Sequence, residues 1–141
     1  MSLSNISNCF GRKYKLDLTT SRNFDEYLKI TGIPAASRKV AATVQPIVEI
    51  VQESDGKLTL SSSSPFKNIS ITFNLGEEFD EITPDGRKVK SIITLEGNKL
   101  IQIQKNGKES VTIREFTPEQ VNMTLKIDDV VCTRSYKYVE E

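Results

Sequence analysis

Histidine is absent from this 141-residue chain, and so is tryptophan. Without histidine no Ser-His or Cys-His pair can activate a nucleophile, and the commonest general base at neutral pH is missing. The commonest metal ligand goes with it, and two distant cysteines among scattered carboxylates show no zinc spacing. No metal or cofactor is therefore expected. The chain also lacks G-x-G-x-x-G, a Walker-type loop and a G-x-S-x-G elbow. Carboxylate-only or lysine-based catalysis stays chemically open, but the expectation is a protein that is not an enzyme.

An excess of one charge is lacking too. Nineteen basic and nineteen acidic residues cancel, so no chain-wide nucleic-acid footprint is expected. No apolar run approaches the roughly 20 residues that a helical bilayer span requires. The opening "MSLSNISNCFGRK" holds no apolar stretch of the signal-peptide kind. Cys9 and Cys132 do not make a disulfide framework, and two unpaired thiols in a reducing cytosol is the simpler reading. Length points to one domain over residues 1–141.

What the chain has is regular punctuation. Turn signals fall at Asp55-Gly56, Gly76, Asp85-Gly86, Gly97-Asn98, Asn106-Gly107, Pro118 and Asp128-Asp129. Their spacing of about ten residues, with alternating runs between, marks a meandering all-β sandwich or barrel. "KYKLDL", "VQPIVEIV", "KLTLSSSS", "ISITFNL", "EFDEIT", "KVKSIITLE", "KLIQIQK", "ESVTIREF", "QVNMTLKI" and "VVCTRSYKYV" supply about ten strands. One interruption, between residues 21 and 45, reads as helical. In "NFDEYLKITG", Asn23 is an N-cap candidate with Glu26 three residues on, and Gly32 is a plausible stop. "IPAASRKVAATVQP" reads as a second short helix, opened by Pro34 and closed before Pro46. Two short helices cannot cover both faces of a ten-strand sheet, but they can cap one end of a closed barrel.

A barrel of about ten strands is wider than the eight whose side chains just fill the interior, so it should hold a cavity. On the last strand Val130, Cys132, Arg134 and Tyr136 share a face. That face should be the inner one, because Thr133, Ser135 and Lys137 tolerate water better. On "ESVTIREF" the corresponding set is Ser110, Thr112, Arg114 and Phe116. Each strand thus places an arginine among small or apolar neighbours. A solvated strand arginine is the ordinary alternative; a buried one needs an anion, from the protein or from a ligand.

"NFDEYLKITGI", "ASRKV", "FKNISITFNLGEEFDE", "DGRKVKS", "TLEGNKLIQIQK", "IREF" and "VVCTRSYKY" together resemble the intracellular fatty-acid-binding proteins, which share a family with the cellular retinoid-binding proteins. The resemblance runs from about Asn23 to Tyr138. It implies an antiparallel up-and-down barrel of ten strands, slightly open, with a helix-turn-helix lid at about 22–44. It also implies a ligand carboxylate held by Arg134 and Tyr136 of "TRSY" and by Arg114 of "IREF". Guanidinium forks suit carboxylates, and a tyrosine hydroxyl can donate to the same oxygen.

Lid and portal contacts carry over to Phe24, Tyr27, Leu28 and Phe66, with a plain core aromatic as the alternative for Phe66. Polar cavity residues carry over to Asp85 and Arg87, with a simple turn as the alternative. Lys29, Arg38 and Lys39 match lid residues that in some members touch membranes or direct nuclear import; a solvated helix face is the simpler account. The serine run at 61–64 reads as a strand with half its hydroxyls inward. Seven residues separate Leu16 from Phe24, longer than the family's usual spacing, and a bulge would absorb the excess.

The expected protein is a monomeric, cytoplasmic, non-catalytic carrier of a long-chain fatty acid, making transient membrane contact through the lid. The alternatives are a retinoic-acid carrier, suggested by "DDVVCTR", and an interaction protein whose lid patch docks partners or enters the nucleus.

Overall fold

The computed structural model describes residues 3–82, 88–106 and 108–140. Ten strands run in chain order: β1 (Lys13–Arg22), β2 (Ile47–Gln52), β3 (Leu58–Ser63), β4 (Asn68–Phe73), β5 (Phe79–Ile82), β6 (Lys88–Glu96), β7 (Lys99–Asn106), β8 (Lys108–Phe116), β9 (Gln120–Ile127) and β10 (Val130–Tyr138). Between β1 and β2 lie two helices, α1 (Phe24–Ile30) and α2 (Ala35–Ala41). The sheet order is β4-β3-β2-β1-β10-β9-β8-β7-β6-β5. Every strand except the β4–β5 pair is antiparallel to its sequence neighbour, and β1 also pairs antiparallel with β10. The sheet ends on β4 and β5, so the barrel stays open there.

Tight turns set the register of the long strands. Glu96 pairs with Lys99 across a two-residue turn in which Gly97 takes φ 60°, a conformation that glycine adopts without steric cost. Ile127 pairs with Val130 across Asp128-Asp129, where Asp128 sits at φ 51° and its carboxylate accepts from Lys108 Nζ at 2.7 Å.

Helix α1 begins where expected, yet Asn23 does not cap it through its side chain. The residue is left-handed, at φ 60°, and its Nδ2 instead donates to the Val131 carbonyl at 3.0 Å, fastening the lid to β10. The excess length before the lid is absorbed in β1. Asp17 pairs with Ser135 and Arg22 with Thr133, so residues 18–21 of β1 bulge opposite the single residue Arg134 of β10. Segment 44–46 joins the lid to β2 and does not belong to the strand.

The core is divided. At the end away from the lid, Ile6, Tyr14, Leu16, Leu100, Phe116 and Val121 are all essentially inaccessible. Tyr14 meets Phe116 edge to face, with ring centres 6.2 Å apart. A short 3-10 turn at Ser7–Cys9 plugs this end. That turn escaped the sequence reading, although Leu3, Ile6 and Cys9, spaced three apart, carry its signal. Under the lid, Tyr27, Ile127 and Cys132 form a smaller buried group with Phe24, Leu28 and Ile30 packed on it. Cys9 and Cys132 are both buried and unpaired.

Candidate functional site

Between the two groups of the core lies a cavity of about 300 Å³. One wall is mostly apolar, with Val48, Leu60, Ile69 and Ile71 from β2, β3 and β4. The facing wall is mixed, with polar Glu81, Gln102, Gln104, Thr112, Arg114 and Tyr136 from β5, β7, β8 and β10 and apolar Val121, Met123 and Leu125 from β9. Tyr27, Leu28 and Ile33 of the lid region roof it. A second cavity of about 250 Å³ beside α1 shares Tyr27, Thr31 and Gln104 with the first and extends the facing wall to Ser110 and Lys108.

Strand alternation places the anion candidates. On β10, Cys132, Arg134 and Tyr136 are buried while Val131, Thr133 and Lys137 are exposed. On β8, Ser110, Thr112 and Phe116 are buried, and Arg114 on the same face borders the cavity. The two arginines differ in setting. Arg114 Nη1 donates to Gln102 Oε1 at 2.8 Å. Arg134 is not among the residues bordering the cavity. Its guanidinium lies 3.6 Å from the centre of the Phe24 ring, a cation–π contact, and its Nε donates to Ser21 Oγ at 3.1 Å. Its Nη2 is buried and has no hydrogen-bond partner. A buried donor left unpaired is costly, which marks this atom as one that an incoming acceptor would satisfy.

Electrostatics follow from burial. Desolvation lowers the pKa of Arg114, opposed by Tyr136, Glu81 and Tyr27. Desolvation likewise lowers that of Arg134, opposed by Tyr136 and Cys132. Both remain cationic, because guanidinium does not deprotonate in proteins. Burial raises the pKa of Tyr136, with both arginines pulling the other way, so at neutral pH its hydroxyl keeps its proton and can donate. Burial also raises the Cys132 thiol. At the plugged end, Tyr14 is raised by burial and then by the adjacent Cys9. Its hydroxyl donates to the Thr117 carbonyl at 2.9 Å.

Three groups therefore hold their protons more tightly when folded. In the unfolded chain they ionise near the ordinary values of 9.0 for cysteine and 10.0 for tyrosine. These groups leave stability level between neutral pH and about pH 9, and stability should fall as pH rises past those values, where only the unfolded chain gives up protons. Urea-denaturation midpoints at neutral pH and above pH 10 measure this. A midpoint that holds or rises in alkali contradicts it.

Other sequence candidates scatter. Tyr27 and Leu28 line the cavity, whereas Phe24 packs on Arg134. Phe66 is 70% exposed in the β3–β4 turn at the lid end, which removes the core-aromatic reading. Ser61 and Ser62 border the cavity, while Ser64 bonds to Lys67 within the turn. Lys29 and Lys39 are exposed. Arg38 is not a free surface cation: its Nε donates to Asp25 at 2.9 Å and its Nη1 to the Ile33 carbonyl at 2.7 Å, tying the two helices together. Asp85 and Arg87 lie outside the described residues. Among the described residues no group of three or more cysteine or carboxylate side chains could share a metal ion, and no helix is long and apolar enough to cross a membrane.

Reading the sequence missed Glu81 and the two glutamines. Glu81 Oε1 accepts from Ser91 Oγ at 2.6 Å and from Gln102 Nε2 and Gln104 Nε2, both at 2.9 Å. Period-two alternation from Phe79 and Leu100 would have placed all three inward.

Residues 12–139 match the model of the lipocalin / cytosolic fatty-acid binding protein family. A muscle fatty acid-binding protein of Schistocerca gregaria is 48% identical over 128 residues, covering 90% of this chain and 94% of that protein. The structure of a fatty acid-binding protein from brain tissue of Drosophila melanogaster is 50% identical with a TM-score of 0.86, over 92% of this chain and 98% of that one. A fatty acid binding protein of Schistosoma mansoni, solved in complex with arachidonic acid, is 38% identical with a TM-score of 0.88, over 96% of this chain and 99% of that one.

Proposed function

The chain belongs to the lipocalin / cytosolic fatty-acid binding protein family, and from that premise we propose that it is a cytoplasmic carrier of one long-chain fatty acid, not an enzyme. The observation that carries this reading is the internal cavity with one mostly apolar wall and Arg114 and Tyr136 on the other. Its volume falls at the lower end of ordinary ligand pockets. Each buried methylene contributes about 0.8 kcal/mol, so the acyl chain supplies most of the affinity.

The carboxylate is held by Arg134, Tyr136 and Arg114. The unpartnered Nη2 of Arg134, the protonated Tyr136 hydroxyl and the cavity-facing Arg114 support that assignment. The arachidonic acid complex of the Schistosoma mansoni relative favours an acyl chain over a retinoid ring. Transient membrane contact falls to exposed Lys29 and Lys39 together with exposed Val40 and Phe66, basic and apolar groups of the kind that meet an anionic lipid surface.

Native mass spectrometry of delipidated protein with oleic acid tests the carrier reading. One acid per chain is expected. A spectrum without complex at excess acid contradicts it.

A further inference from the structure

The polar part of the facing wall is asymmetric in charge. Arg114, Gln102 and Glu81 form a chain in which Gln102 donates to Glu81 and accepts from Arg114. Two hydrogen bonds and one amide group separate the two charges, no more than about 8 Å. Because Gln102 Nε2 is engaged by the carboxylate, its carbonyl oxygen is left for the guanidinium, and the amide orientation is fixed from both sides.

Glu81 itself is lopsided. Ser91, Gln102 and Gln104 all donate to Oε1, and no described residue donates to Oε2. Glu81 borders the cavity. An ionised carboxylate is an acceptor only, so Oε2 has capacity for a donor supplied from the cavity. The wall thus offers a cation at Arg114 and, a few ångströms away, an anion ready to accept one more hydrogen bond.

An unmodified acyl chain cannot supply that bond; a chain bearing a hydroxyl can. Resting on the carrier reading above, we propose that Glu81 is a specificity-determining residue, and that the preferred ligand class is a fatty acid carrying a hydroxyl along its chain. The carboxylate goes to the arginine side and the hydroxyl donates to Glu81 Oε2. Because the charge of Glu81 also offsets that of Arg114, it weakens the hold on an unmodified acid. Glu81 therefore lowers affinity for the plain acid and raises it for one positional class of hydroxy acid.

Calorimetric titration with stearic acid and a series of monohydroxystearic acids, differing only in hydroxyl position, tests this. In the native protein one isomer should bind about tenfold tighter than stearic acid, the scale of one hydrogen bond to a charged acceptor. Glu81→Gln keeps an oxygen for the three wall donors, so the barrel is retained, but it removes the charge. It should bind stearic acid more tightly than the native protein does and cut the advantage of the favoured isomer to about threefold or less. Glu81→Leu should erase the advantage. If stearic acid binds and no isomer exceeds it, or if Glu81→Gln keeps the full advantage, this inference fails alone. If stearic acid does not bind either, the carrier reading fails with it.

Discussion

Arg134→Ala is expected to weaken a long-chain fatty acid about ten- to hundredfold while leaving the matching alcohol almost unchanged. A hydrogen bond to a charged group contributes about 1.5–3 kcal/mol net, and 1.4 kcal/mol is tenfold in affinity. The methylenes still enter the cavity, so binding is weakened and not lost. The same substitution should change the melting temperature little. It removes the Phe24 stacking and the Ser21 hydrogen bond, but it also removes a buried cation whose Nη2 has no partner, and these effects oppose one another. Paired titrations and melting curves separate the outcomes. Unaltered discrimination between acid and alcohol contradicts the role given to Arg134.

Phe116→Ala should show the reverse, a large loss of stability with little change in ligand preference. Phe116 is 1% exposed and packs edge to face on Tyr14 at the plugged end, and it is not among the residues lining the cavity. Truncating a buried phenylalanine costs about 3–5 kcal/mol, which for a chain of this length is roughly 10–15 °C in melting temperature. Calorimetric melting checks it. A drop of only a degree or two would mean that the end opposite the lid is not closed by this ring pair.

Strand number and lid were legible in the sequence because turn residues, period-two alternation and helix start and stop signals mark them. The inward place of both arginines was settled only by the family resemblance. On β10 the rule works directly: Thr133 and Lys137 face water, and Cys132, Arg134 and Tyr136 face in. On β7 hydropathy alone misleads. Gln102 is buried on the inner face with Gln104, while Ile101 and Ile103 stand half-buried on the outside. There they pair laterally with Ile113 and Val111 of β8. A filled core would reject that arrangement, but a ligand cavity with a charged wall requires it, and composition of a single strand does not reveal which kind of interior it faces.

Other features were hidden because they depend on distant partners. Asn23 reads as a helix cap until the Val131 carbonyl of β10 is beside it. Arg38 reads as a surface cation until Asp25 and the Ile33 carbonyl hold it. Glu81 reads as one acid in a charged strand until donors from β6 and β7 converge on one of its oxygens. In each case the polar group is committed by tertiary hydrogen bonding, to which local propensity is blind.

The central claim is that the internal cavity takes an acyl chain and anchors its carboxylate on buried arginine. Isothermal titration of the delipidated protein with oleic acid, and separately with oleyl alcohol, tests it most directly. Tight binding of one acid per chain with the alcohol at least tenfold weaker is the predicted result. Equal affinity for acid and alcohol, or no binding of either, would contradict it.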